Sequence, residues 1–151
     1  MDARLFEAAL AEARVCSGET EKLRLFERAL ALYQGDFLEE RYEPWTEEIR
    51  AQLALRYESA LAEAAALHFR KGNVERALFL YRIAVDRNPL SEELHVRLME
   101  CHHRLGDRTS LRDCHEALRA RLQAELGVEP LPETTRRYLA LTRGPEGTDA
   151  P

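Results

Sequence analysis

Several features that are common in other protein classes are scarce in this chain. Its 151 residues include one tryptophan and three cysteines, Cys16, Cys101 and Cys114, and aromatic residues make up 7% of the sequence. An odd, sparse set of cysteines at helical rather than loop spacing does not form a disulfide framework, and it is typical of buried thiols in a reducing compartment. The sequence therefore predicts a domain that is held together by an apolar core without cross-links.

Long hydrophobic runs are missing as well. No apolar run approaches the roughly 18 residues that a membrane-spanning helix requires. The opening segment MDARLFEAAL is charged from Asp2 onward, which is not typical of a secretory signal peptide. We therefore expect a cytoplasmic protein that has no membrane partner.

An excess of basic residues is also missing. The chain has 22 Lys and Arg against 27 Asp and Glu, which gives a formal net charge of −5. A domain that holds duplex DNA by itself normally presents a basic face. We therefore expect no direct contact between this chain and nucleic acid.

Apolar residues recur at helical spacing along almost the whole sequence, and no stretch alternates with period two. This pattern predicts an all-α fold. The second helix is expected to end at Tyr33, before a turn at Gly35, and a long helix is expected to start near Trp45. The predicted helices are Asp2 to Cys16, Glu19 to Tyr33, Trp45 to Lys71, Val74 to Arg87, Ser91 to Leu105, Asp107 to the connector at Gly127, and Glu133 to Arg143.

Single residues predict several details of these helices. Asn73 and Asp107 are expected to cap helix starts, and Ser91 is expected to open the fifth helix. Turns between helices are expected at Gly72 and at Gly106, which lie 34 residues apart. Leu5 and Ile49 are expected on buried stripes, and Tyr138 and Leu141 are expected to dock the last helix.

One segment has the spacing of a known helical repeat. Small residues stand at +5 and +12 from Gly72, an aromatic residue at +9 and a proline at +17, and these are Ala77, Ala84, Tyr81 and Pro89. This is the pattern of the 34-residue tetratricopeptide repeat. The sequence predicts a tetratricopeptide-like, right-handed array of about seven antiparallel helices over residues 1–143, with a disordered tail at 144–151.

Four strings together resemble one family. They are ALALYQGDFLEE at 29–40, the helix start at Trp45, NPLSEELHVRLM at 88–99 and ELGVEPLPETTRRYLAL at 125–141. In this order they resemble the bacterial transcriptional activator domain of antibiotic-regulatory-protein-type activators.

The resemblance implies a function in transcription. In that family the domain follows a winged helix-turn-helix module that reads DNA, and it supports self-association and contacts with the transcription machinery. The resemblance therefore implies protein partners, either RNA polymerase subunits or a second copy in a homodimer. The sequence begins where the activator domain begins, so we expect either an excised piece of a longer regulator or a stand-alone paralogue that acts on proteins only.

Two other functions remain open at this point. The chain could be a peptide-binding adaptor unrelated to transcription, or a sensor that holds a small molecule between its helices, although no polar cluster in the predicted core supports the sensor. No nucleophile elbow and no phosphate-binding glycine loop is present, so we expect no catalytic residues, no cofactor and no enzymatic activity.

The first helix of each repeat is expected to line a concave, partner-binding groove. Three arginines on this face, Arg70, Arg97 and Arg104, could clamp a carboxylate-rich peptide because guanidinium groups bind carboxylates bidentately. The alternative is a solvated face whose charges pair within the helix. The full set of groove candidates is Glu63, Phe69, Arg70, Glu93, Arg97, Glu100, His103 and Arg104.

An aromatic cluster near the predicted turn is a second interface candidate. Phe37, Tyr42 and Trp45, with Leu38, could form a hot spot, since aromatic residues dominate such sites. The alternative, which we favour, is that Phe37 and Trp45 pack onto the core.

Two further patterns are weaker. Cysteines and histidines flank Gly106, but their spacing does not favour the tetrahedral convergence that zinc needs, so we expect no metal site. The same helices could be mistaken for a DNA-reading helix-turn-helix, although acidic residues interleave the basic ones. The residues concerned are Cys101, His102, His103, Cys114 and His115 for zinc, and Arg108, Arg112, Arg119 and Arg121 for DNA.

Overall fold

The computed structural model describes residues 3–38 and 47–143. Within these ranges the chain forms seven α-helices and no β-strand, which confirms the predicted fold class. None of the helices in these ranges is long and apolar enough to cross a membrane. The helices are α1 (Ala3–Val15), α2 (Glu19–Leu38), α3 (Glu47–Arg70), α4 (Val74–Arg87), α5 (Glu92–Arg104), α6 (Arg108–Leu126) and α7 (Pro132–Thr142).

The chain divides into two compact units. The first unit, Met1–Gly72, contains α1 to α3, and the second unit, Asn73–Pro151, contains α4 to α7. The prediction of one domain over residues 1–143 stays a prediction, and the tail predicted at 144–151 lies outside the described residues.

In the first unit α2 lies between α1 and α3 and packs against both. Aromatic rings join the three helices. The Tyr33 ring of α2 stacks on Tyr57 of α3 with centroids 4.0 Å apart, and it meets Phe6 of α1 at 5.5 Å. The Tyr57 hydroxyl accepts a hydrogen bond of 2.9 Å from Gln34 Nε2, which satisfies a polar group at the edge of this core.

In the second unit α5 is the central helix and packs against α4, α6 and α7. Val96 and Met99 of α5 and Leu111 of α6 are fully buried together. Tyr138 and Leu141 of α7 pack against this cluster, which confirms the prediction that these two residues dock the last helix.

The two glycines that mark the repeat spacing both adopt left-handed backbone conformations. Gly72 has φ 85° and Gly106 has φ 74°, a region that residues with a Cβ rarely occupy. Each glycine ends one helix and allows the next to begin after a short turn, which confirms the turns predicted at these positions.

The prediction of a helix end before Gly35 was wrong, because α2 continues through Gly35 to Leu38. A glycine inside a helix costs only about 1 kcal/mol relative to alanine, so it does not end a helix that tertiary contacts hold. Tyr33 and Gln34, immediately before the glycine, both contact Tyr57 of α3 and supply such contacts.

Three finer predictions also need correction. Asn73 precedes α4, but its side chain makes no capping hydrogen bond, whereas Ser91 and Asp107 cap α5 and α6 as predicted. Leu5 and Ile49 were placed on buried stripes, but they are 47% and 43% exposed. The buried face of α1 follows Phe6, Ala9, Leu10 and Ala13, and Leu5 lies at the margin of that stripe.

Candidate protein-interaction surface

One face of α5 carries alternating charges. Glu93, Arg97, Glu100 and Arg104 follow one another at spacings of three or four residues, which places them in a row along the helix. Ser91 caps the start of the helix by accepting a hydrogen bond of 3.3 Å from the backbone N–H of Leu94. This cap therefore stabilises the first turn of the helix that carries the row of charges.

Two arginines and two glutamates form a closed network on this face. Arg97 lies 3.0 Å from Glu93 and 3.3 Å from Glu100, within α5 itself. Arg137 of α7 donates to the same two carboxylates, at 2.9 Å to Glu93 and 2.7 Å to Glu100. Each glutamate thus receives one guanidinium from α5 and one from α7, and the four charges cancel.

Helix α7 is held by both α5 and α6. Just before its start, the backbone N–H of Leu131 donates a hydrogen bond of 2.8 Å to Glu92 Oε1 of α5. Further along, Tyr138 stacks on His115 of α6 with a centroid distance of 3.8 Å and an interplanar angle of 4°. The face of α5 that carries Glu93 and Glu100 therefore contacts a helix of the same chain.

The Arg137 guanidinium is partly withdrawn from water, with 29% of its side chain exposed. Burial by itself lowers the pKa of Arg137, but the hydrogen bonds that it donates to Glu100 and Glu93, together with the charges of these carboxylates, outweigh burial and raise the pKa above its ordinary value. The charge on Arg137 is thus kept, and the contact between α5 and α7 is electrostatic as well as apolar.

The groove candidates of the first unit also hold contacts within their unit. Glu63 of α3 lies 3.8 Å from Arg14 of α1, and Arg70 lies 3.2 Å from Glu19 of α2. Phe69 is half-buried beside them in the sequence. These ion pairs link α3 to α1 and α2. The groove hypothesis and its alternative, in which the charges pair within one helix, both stay predictions.

His103 and Arg104 lie in the last turn of α5, beyond the network with Arg137. His103 is half-buried and Arg104 is exposed. The predicted clamp of Arg70, Arg97 and Arg104 draws on both units, and it stays a prediction.

The second interface candidate falls outside the described residues. Phe37 lies within the bounds of α2, but its side chain is not among those described, and Tyr42 and Trp45 lie between the two described ranges. The hot-spot hypothesis and its alternative both stay predictions.

The cysteines and histidines around Gly106 do not converge. Among the described residues no group of three or more His, Cys, Asp or Glu side chains could hold a metal ion. Burial raises the pKa of Cys101 to about 11 and that of Cys114 to about 12, so both thiols stay protonated at neutral pH. Cys114 Sγ instead donates to the backbone oxygen of His95 at 3.7 Å, which indicates a packing role.

The second unit does hold polar groups in its core, which the apolar periodicity did not indicate. His95, His102 and His115 are all buried. Among the residues that the structure describes, Nδ1 of His102 and both ring nitrogens of His115 have no hydrogen-bond partner. Burial lowers the pKa of all three histidines, so they are neutral at pH 7.

The arginines of α6 that resemble DNA contacts differ in their surroundings. Arg119 pairs with Glu129 at 3.2 Å, and Arg121 pairs with Glu125 at 3.5 Å. Arg108 and Arg112 are exposed. Half of the predicted basic row is thus already neutralised by carboxylates of the same unit.

Sequence reasoning missed Arg137, the residue that ties α7 to α5. The available signal was its place next to Tyr138, which was predicted to dock, together with the acidic first turn of α5. Sequence spacing alone did not identify the helix on which α7 would dock.

The comparison with protein families gives one match. The family model described as the bacterial transcriptional activator domain matches residues 1–142, which is almost the whole chain. No curated protein matches the chain closely enough to be reported as a relative.

Proposed function

The chain belongs to the family of bacterial transcriptional activator domains, and we propose that it activates transcription through protein contacts, by self-association and by engaging RNA polymerase. It acts as a regulatory domain and not as an enzyme. DNA is read by a separate winged-helix module, and these helices position that module and its protein partners. The family match over residues 1–142 is the observation that carries the proposal.

The surface chemistry supports protein contacts over DNA contacts. The chain has a net charge of −5, and Arg119 and Arg121 of α6 are paired with glutamates. A protein that neutralises many phosphates needs an excess of cationic side chains, whereas this chain carries 22 Lys and Arg against 27 Asp and Glu.

Arg104 is the groove candidate best placed to meet a partner in the second unit. It is exposed, and it lies one helical turn beyond Glu100, outside the contacts of Arg137. An exposed guanidinium at this point can bind a carboxylate of an acidic polymerase segment. The hydrogen bonds that Arg137 of α7 donates to Glu93 and Glu100 do not involve Arg104.

The experiment compares two variants of equal charge change. Purified chain captures RNA polymerase core and sigma subunits from nuclease-treated lysate of the source organism, and mass spectrometry quantifies them. We expect Arg104→Glu to reduce polymerase capture by about tenfold, which corresponds to about 1.4 kcal/mol. Arg112→Glu on α6 is the matched control, since Arg112 is also exposed, and it should leave capture unchanged.

The other outcomes have distinct meanings. Capture of proteins unrelated to transcription, with polymerase at background, would favour the stand-alone adaptor. A chain that neither captures polymerase nor self-associates would overturn the proposed function. An equal loss in both variants would indicate a general charge effect, and α5 would then not be the contact.

A further inference from the structure

Helix α7 is joined to the rest of its unit by a short connector. α6 ends at Leu126 and α7 begins at Pro132, so the connector is Gly127–Leu131. Pro130 and Pro132 fix the backbone φ angle at two nearby positions, which makes this segment stiff. A short, stiff hinge before a helix that docks through its own set of contacts favours exchange of that helix between copies.

The contacts that hold α7 are specific. Arg137 donates to two carboxylates of α5, and Tyr138 stacks on His115 of α6. Tyr138 and Leu141 also pack against the buried cluster of Val96, Met99 and Leu111. Lifting α7 from its own chain exposes this cluster, and an identical α7 from a second copy covers it again and restores every contact.

The hinge region also presents apolar side chains to solvent. Leu126, Val128 and Leu131 are 58%, 46% and 59% exposed. Three large apolar residues within so short a segment form a surface that a monomer leaves uncovered. When two chains exchange their last helices, the two connectors run beside each other, and these side chains can pack together.

We propose that α7 is exchanged between two copies of this chain, so that Arg137 of each copy binds Glu93 and Glu100 of the other. The dimer is symmetric, and its second contact is the pair of connectors with Leu126, Val128 and Leu131. This rests on the self-association part of the proposed function. It identifies the self-association surface as the α5 face together with the connector.

A charge-complementation experiment tests the exchange. Glu100→Arg places a cation opposite Arg137 in its own chain, and Arg137→Glu places a carboxylate opposite Glu100 in its own chain. Neither variant can seat its own α7 well. In an equimolar mixture, exchange gives one wild-type pair and one reversed pair, so both are favourable. Native mass spectrometry of the full-length variants then shows a heterodimer that is at least about tenfold tighter than either homodimer.

The double variant, with Glu100→Arg and Arg137→Glu in one chain, is the matched control. It restores the pair within each copy, and it should behave as the wild type does. A mixture without excess heterodimer would overturn the exchange, because any interface elsewhere on the molecule is indifferent to which chain carries which charge.

A second measurement keeps the wild-type residues of α5 and α7 and changes only the connector between α6 and α7. Inserting about six Gly and Ser residues after Gly127 gives a longer, flexible connector that favours docking of α7 on its own chain. By sedimentation velocity, the dissociation constant of the dimer should rise at least about tenfold relative to the unmodified chain. An unchanged constant would overturn exchange while leaving self-association and the proposed function in place. If the wild-type chain stays monomeric but binds polymerase, both the exchange of α7 and the proposed self-association would be overturned. The proposed contact with polymerase would be retained.

Discussion

At the scale of single residues, the buried histidines of the second unit differ in whether their ring nitrogens have hydrogen-bond partners. His95 has a partner, since its Nε2 lies 2.9 Å from the backbone oxygen of Pro89. Neither ring nitrogen of His115 has a hydrogen-bond partner within residues 3–38 and 47–143, and its ring instead stacks face to face on Tyr138. A buried polar atom without a partner costs about 1–3 kcal/mol, so His115 lowers the stability of the unit that it helps to build.

Replacing His115 with phenylalanine should therefore stabilise the second unit. The substitution keeps a planar ring against Tyr138 and removes two unsatisfied nitrogens. We expect His115→Phe to raise the free energy of unfolding by about 1 kcal/mol, measured by urea denaturation at pH 7.5. His103→Phe, at a half-buried position of α5, is the control and should change little. A loss of stability in His115→Phe would show that the ring site does not accommodate the larger side chain.

At the scale of elements, the end of α6 determines where the connector to α7 begins. Gly127 has φ 65°, in the left-handed region. Its N–H donates to the Gln123 oxygen at 3.1 Å, and the N–H of Val128 donates to the Leu122 oxygen at 3.4 Å. These two bonds satisfy carbonyl groups that the last helical turn leaves free, and they require the left-handed glycine.

Substitutions at Gly127 separate backbone strain from crowding. A Cβ added at Gly127 would meet no atom within 4 Å, so the cost of a side chain there comes from the backbone conformation alone. We expect Gly127→Ala to lower the free energy of unfolding by about 1 kcal/mol. Gly127→Asn should cost less, because asparagine tolerates the left-handed region. Thermal unfolding followed by circular dichroism measures both, and equal costs for the two variants would contradict this explanation.

At the scale of the whole molecule, local sequence signals predicted where the helices lie, whereas the contacts on their surface depend on residues that are far apart in sequence. Ser91, Asp107, Gly72 and Gly106 determine helix ends through interactions within a few residues, so their roles could be predicted from sequence. The bond from Arg137 to Glu93 joins residues 44 positions apart, and it requires knowing that α7 docks on α5. The repeat pattern predicted which face of α5 would line a groove, but it did not predict that α7 of the same chain contacts this face.

The second helix also shows that local sequence signals have a limit, because one of them predicted a helix end that the structure does not have. Local composition at Gly35 indicated a turn, yet the contacts of Tyr33 and Gln34 with Tyr57 of α3 accompany an unbroken α2. These partners are more than 20 positions away in sequence. Tertiary packing therefore outweighed a propensity of about 1 kcal/mol, as it commonly does.

The two units differ in how they hold their buried histidines. In the first unit, Nε2 of His68 lies 2.8 Å from Glu27 Oε1, so this ring nitrogen has a hydrogen-bond partner. In the second unit burial is the largest cause of the lowered pKa of each histidine, and neighbouring arginines lower it further. Charged groups that face the three rings are Arg121 and Glu92 for His95, Arg82 and Asp107 for His102, and Arg119 and Glu116 for His115.

Acidification should consequently open the second unit before the first. Burial lowers the pKa of the histidines of α5 and α6 in the folded chain, while an unfolded histidine titrates near about 6.5. Below that pH the unfolded state binds more protons than the folded state, so stability falls as pH falls; above it, these groups contribute no pH dependence. Hydrogen exchange at pH 7.5 and 5.5, corrected for intrinsic rates, should show protection lost in α5 and α6 while α1 to α3 change less. His115→Phe should reduce that loss, and a uniform loss along the chain would contradict the assignment to these histidines.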